Sequence, residues 1–391
     1  MSHTLVSHSP DLTKLVEEGY DVEIRDGNLL VHHVPYVTAT GTVDFGILVS
    51  ELTTNGEATV RPGTHEIRFS GGVPHDHQNQ VVAIVNTQSP HDFGNGLIAV
   101  CSMSGKRNGQ MPVDYYDKIV NYVGILSTFA RNIDPNVSHE NYPVRESSPD
   151  ESVFRYHDSA SSRAGISAVS AKLKTGKVAI VGLGGTGAYI LDLIAKTSVE
   201  EIHLFDDDVV YAHNAFRFPG AAALEELKGS PKKVQYLFEK YDPIRRGIVA
   251  HDQKMDASNI DELRDMAFVF IAIDAGSAKK VIVEGLVSFQ VPFIDCGLGI
   301  NRFENSLTGQ LRVTTVTSEN NAHVASRISF GDKNEDEYDW NIQTADLNMM
   351  NAVMAVIKWK KLFGYYVDRK HEFNSTYTVI SNKMISGEFV E

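Results

Sequence analysis

The pattern of apolar and polar positions is sharpest along residues 177–217. Val178, Ala179, Ile180 and Val181 form an unbroken apolar run, the mark of a parallel strand buried on both faces. Gly182, Gly184, Gly185 and Gly187 follow as a turn. Residues 188–196 place Tyr189, Ile190, Leu193 and Ile194 at helical spacing. A second apolar run over 202–205 then closes on Asp206, Asp207 and Asp208.

Downstream the pattern predicts helices over 222–228, 231–241, 261–266 and 279–289, and strands over 267–273, 292–296 and 310–316. A long helix over 345–365 carries an apolar stripe of Leu347, Met350, Val353, Met354, Ile357 and Leu362, expected to be core or dimer seam, and a last strand spans 375–381. Strands alternating with helices predict an α/β, Rossmann-like, mostly parallel sheet with helices on both faces. The first third reads differently. Residues 22–25 and 29–32 flank Asp26-Gly27, a hairpin signal. Residues 35–43 read as extended, 45–52 as strand or short helix, and 64–69, 81–85 and 97–101 as strands. A helix over 113–130 has Tyr116, Ile119, Val120, Val123, Leu126 and Phe129 on one side. These elements predict a smaller N-terminal α+β domain over 10–134, a polar linker over 135–153, and the larger domain over 154–391. The strand-rich order of the N-terminal domain, followed by a helix, faintly resembles a ubiquitin-conjugating fold without the usual cysteine motif. The polar stretch 318–344, with Asp332, Glu335, Asp336, Glu337 and Asp339, reads as a long loop.

Composition narrows the function. Fifty acids against 36 bases give a charge of −14 over 391 residues, which argues against a nucleic-acid partner. No apolar run approaches the ~18 residues of a membrane span, and residues 1–11 lack a signal-peptide pattern. Two cysteines, Cys101 and Cys296, make neither a disulfide framework nor a four-cysteine zinc site, so a reducing cytoplasm is the expected compartment. His65, His75 and His77 lie close in sequence without a clear further ligand and read as a polar loop.

The glycine turn carries the candidate chemistry. Gly182 permits a tight turn, Gly184 lets backbone N–H groups approach a phosphate, and Gly187 lets the helix lie close to the strand. The helix N-terminus then offers unpaired donors to the phosphate. Asp206 lies where an acid accepts ribose hydroxyls. These features predict a bound nucleotide.

Which nucleotide is indicated by a resemblance. The block FDDDVVYAHNAFR, ending at Arg217, resembles the D-x-D-x-V…N-x-x-R block of ThiF/MoeB-type adenylyltransferases, the superfamily of ubiquitin-activating enzymes. So do the doubled glycine Gly184-Gly185, the run Gly229-Ser230-Pro231-Lys232, Tyr241-Asp242-Pro243, the strand ending at Asp274, residues 291–297, and Gly309-Gln310. The resemblance covers roughly 150–391 and implies ATP- and Mg²⁺-dependent adenylation of a C-terminal carboxylate. The implied acceptor is a ubiquitin-like or sulfur-carrier protein ending in glycine. The implied catalytic residues are Arg217 and Lys232 on the phosphates and Asp274 on Mg²⁺. Asp206, Asp208, Asn214 and the four glycines would bind the nucleotide. A homodimer is implied as well, with Arg155 and Arg163 as alternatives for an arginine reaching the partner's site. Phe218 and Ala275 depart from the family's glutamine and asparagine. A degenerate ATP-binding scaffold and an NAD-dependent oxidoreductase are the alternatives. Cys296 reads as a pocket wall, following a buried strand.

Overall fold

The computed structural model describes residues 5–6, 8–144, 146–147, 149, 152–156, 166–274, 276–331 and 342–389. Arg163, Ala275 and the acids Asp332, Glu335, Asp336, Glu337 and Asp339 lie outside the described residues. Described residues up to 144 form one compact unit, and residues 146–156 with those from 166 onward form a second.

In the first unit, helix α1 (Pro10–Glu17) begins on proline, whose missing N–H costs nothing there, and buries Leu12 and Leu15. Strands β1 (Asp21–Arg25) and β2 (Asn28–Val37) pair across Asp26-Gly27 as the dipeptide predicts. With β3 (Val43–Glu51), β4 (Ile67–Ser70), β5 (Val85–Thr87) and β6 (Cys101–Met103) they make an antiparallel sheet ordered β1-β2-β3-β4-β6-β5. Helix α2 (Tyr115–Ile133) is N-capped by Asp114, which accepts from the Asp117 N–H at 2.7 Å, and packs on β2. Three expectations are corrected here. Residues 38–42 turn back on themselves, with Gly41 at φ +74°, instead of extending. The apolar run 81–85 is largely turn, with only Val82 of its first four residues buried. The buried face of α2 is rotated toward Tyr115, Lys118 and Tyr122.

The second unit is an eight-stranded sheet. Strands β7 (Lys177–Val181), β8 (Glu201–Phe205), β9 (Ile248–His251), β10 (Phe268–Ile271) and β11 (Phe293–Phe303) run parallel in the order β9-β8-β7-β10-β11. Strands β12 (Ser306–Val316), β13 (Glu372–Thr378) and β14 (Lys383–Phe389) continue it antiparallel. Helices α3 (Gly185–Ile194), α4 (Lys233–Tyr241) and α6 (Ala345–Leu362) bury one apolar face of the sheet, and α5 (Ser277–Phe289) the other. The order reverses between β7 and β10, which opens a crevice at the carboxyl ends of the strands. The glycine turn follows β7 directly into that crevice.

The described residues from 146 to 156 are fastened to this unit. Arg246 donates to the Phe154 and Ser147 carbonyls at 2.8 Å, and Arg155 lies on Asp242 with Nη2–Oδ1 at 2.6 Å. Strands β9 and β14 were not predicted. Cys296 lies inside β11 instead of following a strand, because β11 runs well past residue 296. The buried face of α6 is Asn348, Asn351, Ala352, Ala355, Val356, Lys358 and Trp359, so the apolar stripe of the sequence reading is turned partly outward. Of the described helices, none is long and apolar enough to cross a membrane.

Candidate active site

The turn after β7 is shaped by glycine where the chain needs it. Gly182 has φ +90°, and a Cβ there would lie 2.5 Å from Ile273. At Gly187 a Cβ would come 1.9 Å from the Gly182 carbonyl oxygen, so only glycine lets α3 close onto the strand. Gly184, the residue before α3, has open space where its side chain would be. Gly185 is different: a Cβ would strike the Asn348 carboxamide at 2.4 Å, so this glycine serves helix packing.

Asp206 closes the turn from the end of β8. Its Oδ2 accepts from the Leu183 N–H at 2.6 Å, and its Oδ1 accepts from the Asp208 N–H at 3.0 Å. A carboxylate has about four lone-pair sites, so ribose hydroxyls can still be accepted. Asp206, Asp207 and Asp208 bring carboxylate oxygens within 4.8 Å of one another, and theirs is the one such acidic or histidine group among the described residues. His65, His75 and His77 form no such group. His65 meets the Ser104 hydroxyl at 3.0 Å, and His77 stacks on Phe129.

Segment 208–210 pairs with 231–233 through the Val210 N–H to the Pro231 carbonyl and the Lys233 N–H to the Asp208 carbonyl. This pairing sets two neighbouring lysines on opposite errands. Lys232 stands just before α4, not within its first turn as expected. Its ammonium donates to the Asp207 carbonyl at 2.7 Å and meets Asp252 at 3.0 Å, with 42 % of the side chain exposed. The Asp252 hydrogen bond raises its pKa. Lys233 is only 8 % exposed and reaches Asp208 at 2.6 Å and Asp206 at 3.4 Å. The cation held against Asp206 and Asp208 is thus Lys233, which the sequence reading passed over because Pro231-Lys232 completed the family pattern.

Asn214 is buried, and its side-chain oxygen accepts from the Tyr211 N–H at 2.8 Å. It closes the short turn whose next step is Arg217, whose N–H reaches the Asn214 carbonyl at 2.9 Å. Arg217 is half-buried, and its Nε is buried without a hydrogen-bond partner. Burial lowers the guanidinium pKa, and the nearby Asp274 charge opposes that shift. Asp274 is exposed at the carboxyl end of β10. His213 titrates below its ordinary value through burial and then the charges of Arg217 and Lys233. The structure therefore gathers Arg217, Asp274, Lys233 and the glycine turn, and leaves Lys232 at the rim beside Asp252. Phe218 is core, 5 % exposed, and does not line the crevice.

Beyond the crevice the antiparallel strands carry a trough of about 440 Å³ lined by Gly297, Gly299, Thr308, Gln310, Thr376 and Thr378. Asp295, two residues before it, pairs with Ile271 of β10, so the trough starts level with the strand end that bears Asp274. Arg312 borders it but is held by Asp295 at 2.6 Å, and Lys279 meets the same carboxylate at 2.8 Å. Neither cysteine is set for chemistry. Burial pushes the Cys101 thiol up to about 11 and, with Asp295 adding to it, the Cys296 thiol up to about 12.

A sequence model of the ThiF family matches residues 160–389, and one described as a domain of unknown function, DUF6791, matches residues 10–159. Among solved structures the chain is similar to PaaA in its selenomethionine form, at 16 % identity and TM-score 0.43 over 57 % of this chain and 67 % of that one. It is likewise similar to E. coli MccB with ATP, at 16 % identity and TM-score 0.44, covering 56 % and 66 %. E. coli MccB with AMPCPP and selenomethionine MccA gives 17 % and 0.44, covering 56 % and 65 %. The chain thus spans about two thirds of the length of each. No curated protein sequence matches.

Proposed function

The chain belongs to the ThiF family, and from that premise we propose that its second unit adenylates a carboxylate with ATP. The acceptor is the C-terminal glycine of a ubiquitin-like or sulfur-carrier protein. One observation carries the reading: Arg217 holds a buried Nε without a hydrogen-bond partner, near the charge of Asp274 at the carboxyl end of β10. A half-buried guanidinium without full hydrogen bonding is costly, and an anion arriving at the turn satisfies it.

In this reaction a carboxylate oxygen attacks the α-phosphorus of ATP. The new bond is C–O–P, and the bond to the β-phosphate oxygen breaks, releasing pyrophosphate. The carboxylate needs no base; the difficulty is an anion approaching a polyanion, which fixed cations overcome. The turn N–H groups and the start of α3 hold the phosphates. Arg217 meets the developing charge. Lys233 balances Asp206 and Asp208 beside it, and Asp206 keeps the turn closed while accepting from the ribose. Asp208 orients Lys233, and Asn214 orients Arg217. Asp274 is an exposed carboxylate at the mouth, a donor that suits Mg²⁺ shared with phosphate oxygens, and bound there the ion would neutralise phosphate charge. The trough, lined by three glycines and by threonine and amide side chains, suits an extended peptide whose terminus points toward Asp274. Two apolar residues on the exposed surface of α6, Ile357 of the stripe at 42 % exposure and Met349 beside it at 48 %, support a homodimer through that helix.

The test is ligand choice and exchange. ATP with Mg²⁺, and not NAD, should raise the melting temperature, since a ligand stabilises by mass action. With the carrier present, ATP–pyrophosphate exchange should fall at least 100-fold in Arg217→Ala and in Lys233→Ala, and only a few-fold in Lys232→Ala. Stabilisation by NAD alone refutes the adenylation reading. Full exchange in Arg217→Ala removes that residue's role. ATP binding without exchange in any carrier identifies a scaffold.

A further inference from the structure

Helix α6 buries polar residues where an apolar core is the simpler choice, and the reason lies at the nucleotide turn. Asn348 is 1 % exposed. Its Oδ1 accepts from the Thr186 hydroxyl at 2.9 Å, and its Nδ2 donates to the Thr344 carbonyl at 2.9 Å. The same carboxamide occupies the space a Gly185 side chain would need. Both donor and acceptor faces of Asn348 are thus spent on fixing the first turn of α3 against the first turn of α6. One turn on, Asn351 is also fully buried but points elsewhere: its Nδ2 donates to the Gly297 carbonyl of β11 at 3.2 Å.

A turn built on Gly182, Gly184, Gly185 and Gly187 is conformationally permissive, and phosphate binding needs its N–H groups held in one direction. Apolar packing constrains a helix's rotation only loosely; a buried carboxamide that accepts through Oδ1 and donates through Nδ2 is directional. We propose that Asn348, through Thr186 and Gly185, is a positioning residue for the phosphate-binding turn, so that the start of α6 sets the affinity for ATP. The proposal rests on ATP occupying that turn.

The experiment is ATP·Mg²⁺ titration calorimetry on the full chain. The variants are Asn348→Ala, the near-isosteric Thr186→Val, the double variant, and Asn351→Ala as a buried-asparagine control. Each single change at the clamp should weaken ATP binding about tenfold, the equivalent of one hydrogen bond. The double variant should be no weaker than either single one, because one interaction is lost in all three. Asn351→Ala should stay within about twofold even where its melting temperature falls, which separates positioning from general stability. Thr186→Val keeps the test open if Asn348→Ala fails to fold. Wild-type protein that takes up no ATP sinks the adenylation reading and this inference with it. Wild-type binding with Thr186→Val and Asn348→Ala inside twofold sinks the inference alone, as does an additive double variant.

Discussion

Lys118 offers a quantitative test of the first unit. It projects from α2 into the core, 2 % exposed, and its ammonium donates to the Ser50 hydroxyl at 2.9 Å. Burial lowers its pKa from 10.5 to about 8, with Glu51 and Glu66 opposing weakly. That lowering corresponds to about 3 kcal/mol of destabilisation at neutral pH. Lys118→Met keeps the length of the side chain and removes the charge. Ser50 loses its donor, a cost of about 1 kcal/mol, so the variant should be more stable by about 2 kcal/mol. In the full chain this reads out locally: amides of β3 and α2 should exchange with deuterium roughly 30-fold more slowly at pH 7. The pH dependence gives the sign. Between pH 8 and 10.5 the unfolded chain keeps a proton that the folded lysine has lost, so wild-type stability rises with pH through that window. The variant has no such rise, and the gap between urea midpoints should narrow above pH 8. Faster exchange in Lys118→Met, or a gap constant from pH 7 to 9.5, would refute the reasoning and show the ammonium to be well solvated.

Three further outcomes are expected. Cys101 and Cys296, both buried with raised pKa, should resist a thiol reagent in the native protein, and incubation with ATP and carrier should give no reductant-sensitive adduct; an adduct lost in Cys101→Ala would make the first unit an acyl acceptor. His251 is held below its ordinary 6.5 by burial and by His203, against the pull of Glu262, so below pH 6.5 the unfolded chain binds the extra proton and stability falls until the folded pKa is passed. His251→Phe, which keeps the ring stacked on Phe205, should flatten the fall in urea midpoint between pH 7 and 5. Sedimentation at micromolar protein should show a dimer that Ile357→Glu dissociates; a wild-type monomer removes the assigned role of α6.

How much was legible depended on where each residue's partners lie. The strands β7, β8 and β10 are buried on both faces, so they read as apolar runs; Gly187 is demanded by the Gly182 carbonyl five residues away, and Gly182 by its own positive φ as well as by Ile273 across the sheet. Strand β9 escaped because only Ile248 of its four residues is buried, and β14 because an edge strand has no continuous apolar face. The core face of α6 was misplaced for a related reason: it includes Asn348 and Asn351, whose partners Thr186 and Gly297 lie far off in sequence, and Lys358, whose partner Asp368 lies past the helix end. Periodicity counts apolar residues and cannot detect a polar residue that is buried because its partner is.

The same argument bears on the lysines. In sequence, Lys232 and Lys233 are adjacent and chemically identical, and only the family pattern chose between them. In the fold, the pairing of 208–210 with 231–233 turns one inward and the other out. An ammonium held between Asp206 and Asp208 has its desolvation cost offset by the pairing, and under the proposed adenylation it would meet the nucleotide with its orientation already set. An exposed ammonium on Asp252 must leave that partner before it can meet a phosphate. The electrostatic contribution to phosphate binding should therefore reside in Lys233. Replacing Asp252 with asparagine removes the ion pair of Lys232, which keeps its hydrogen bond to the Asp207 carbonyl, without touching Asp206 or Asp208, and should leave ATP affinity within about twofold. Affinity that changes tenfold in that variant would return the phosphate role to Lys232.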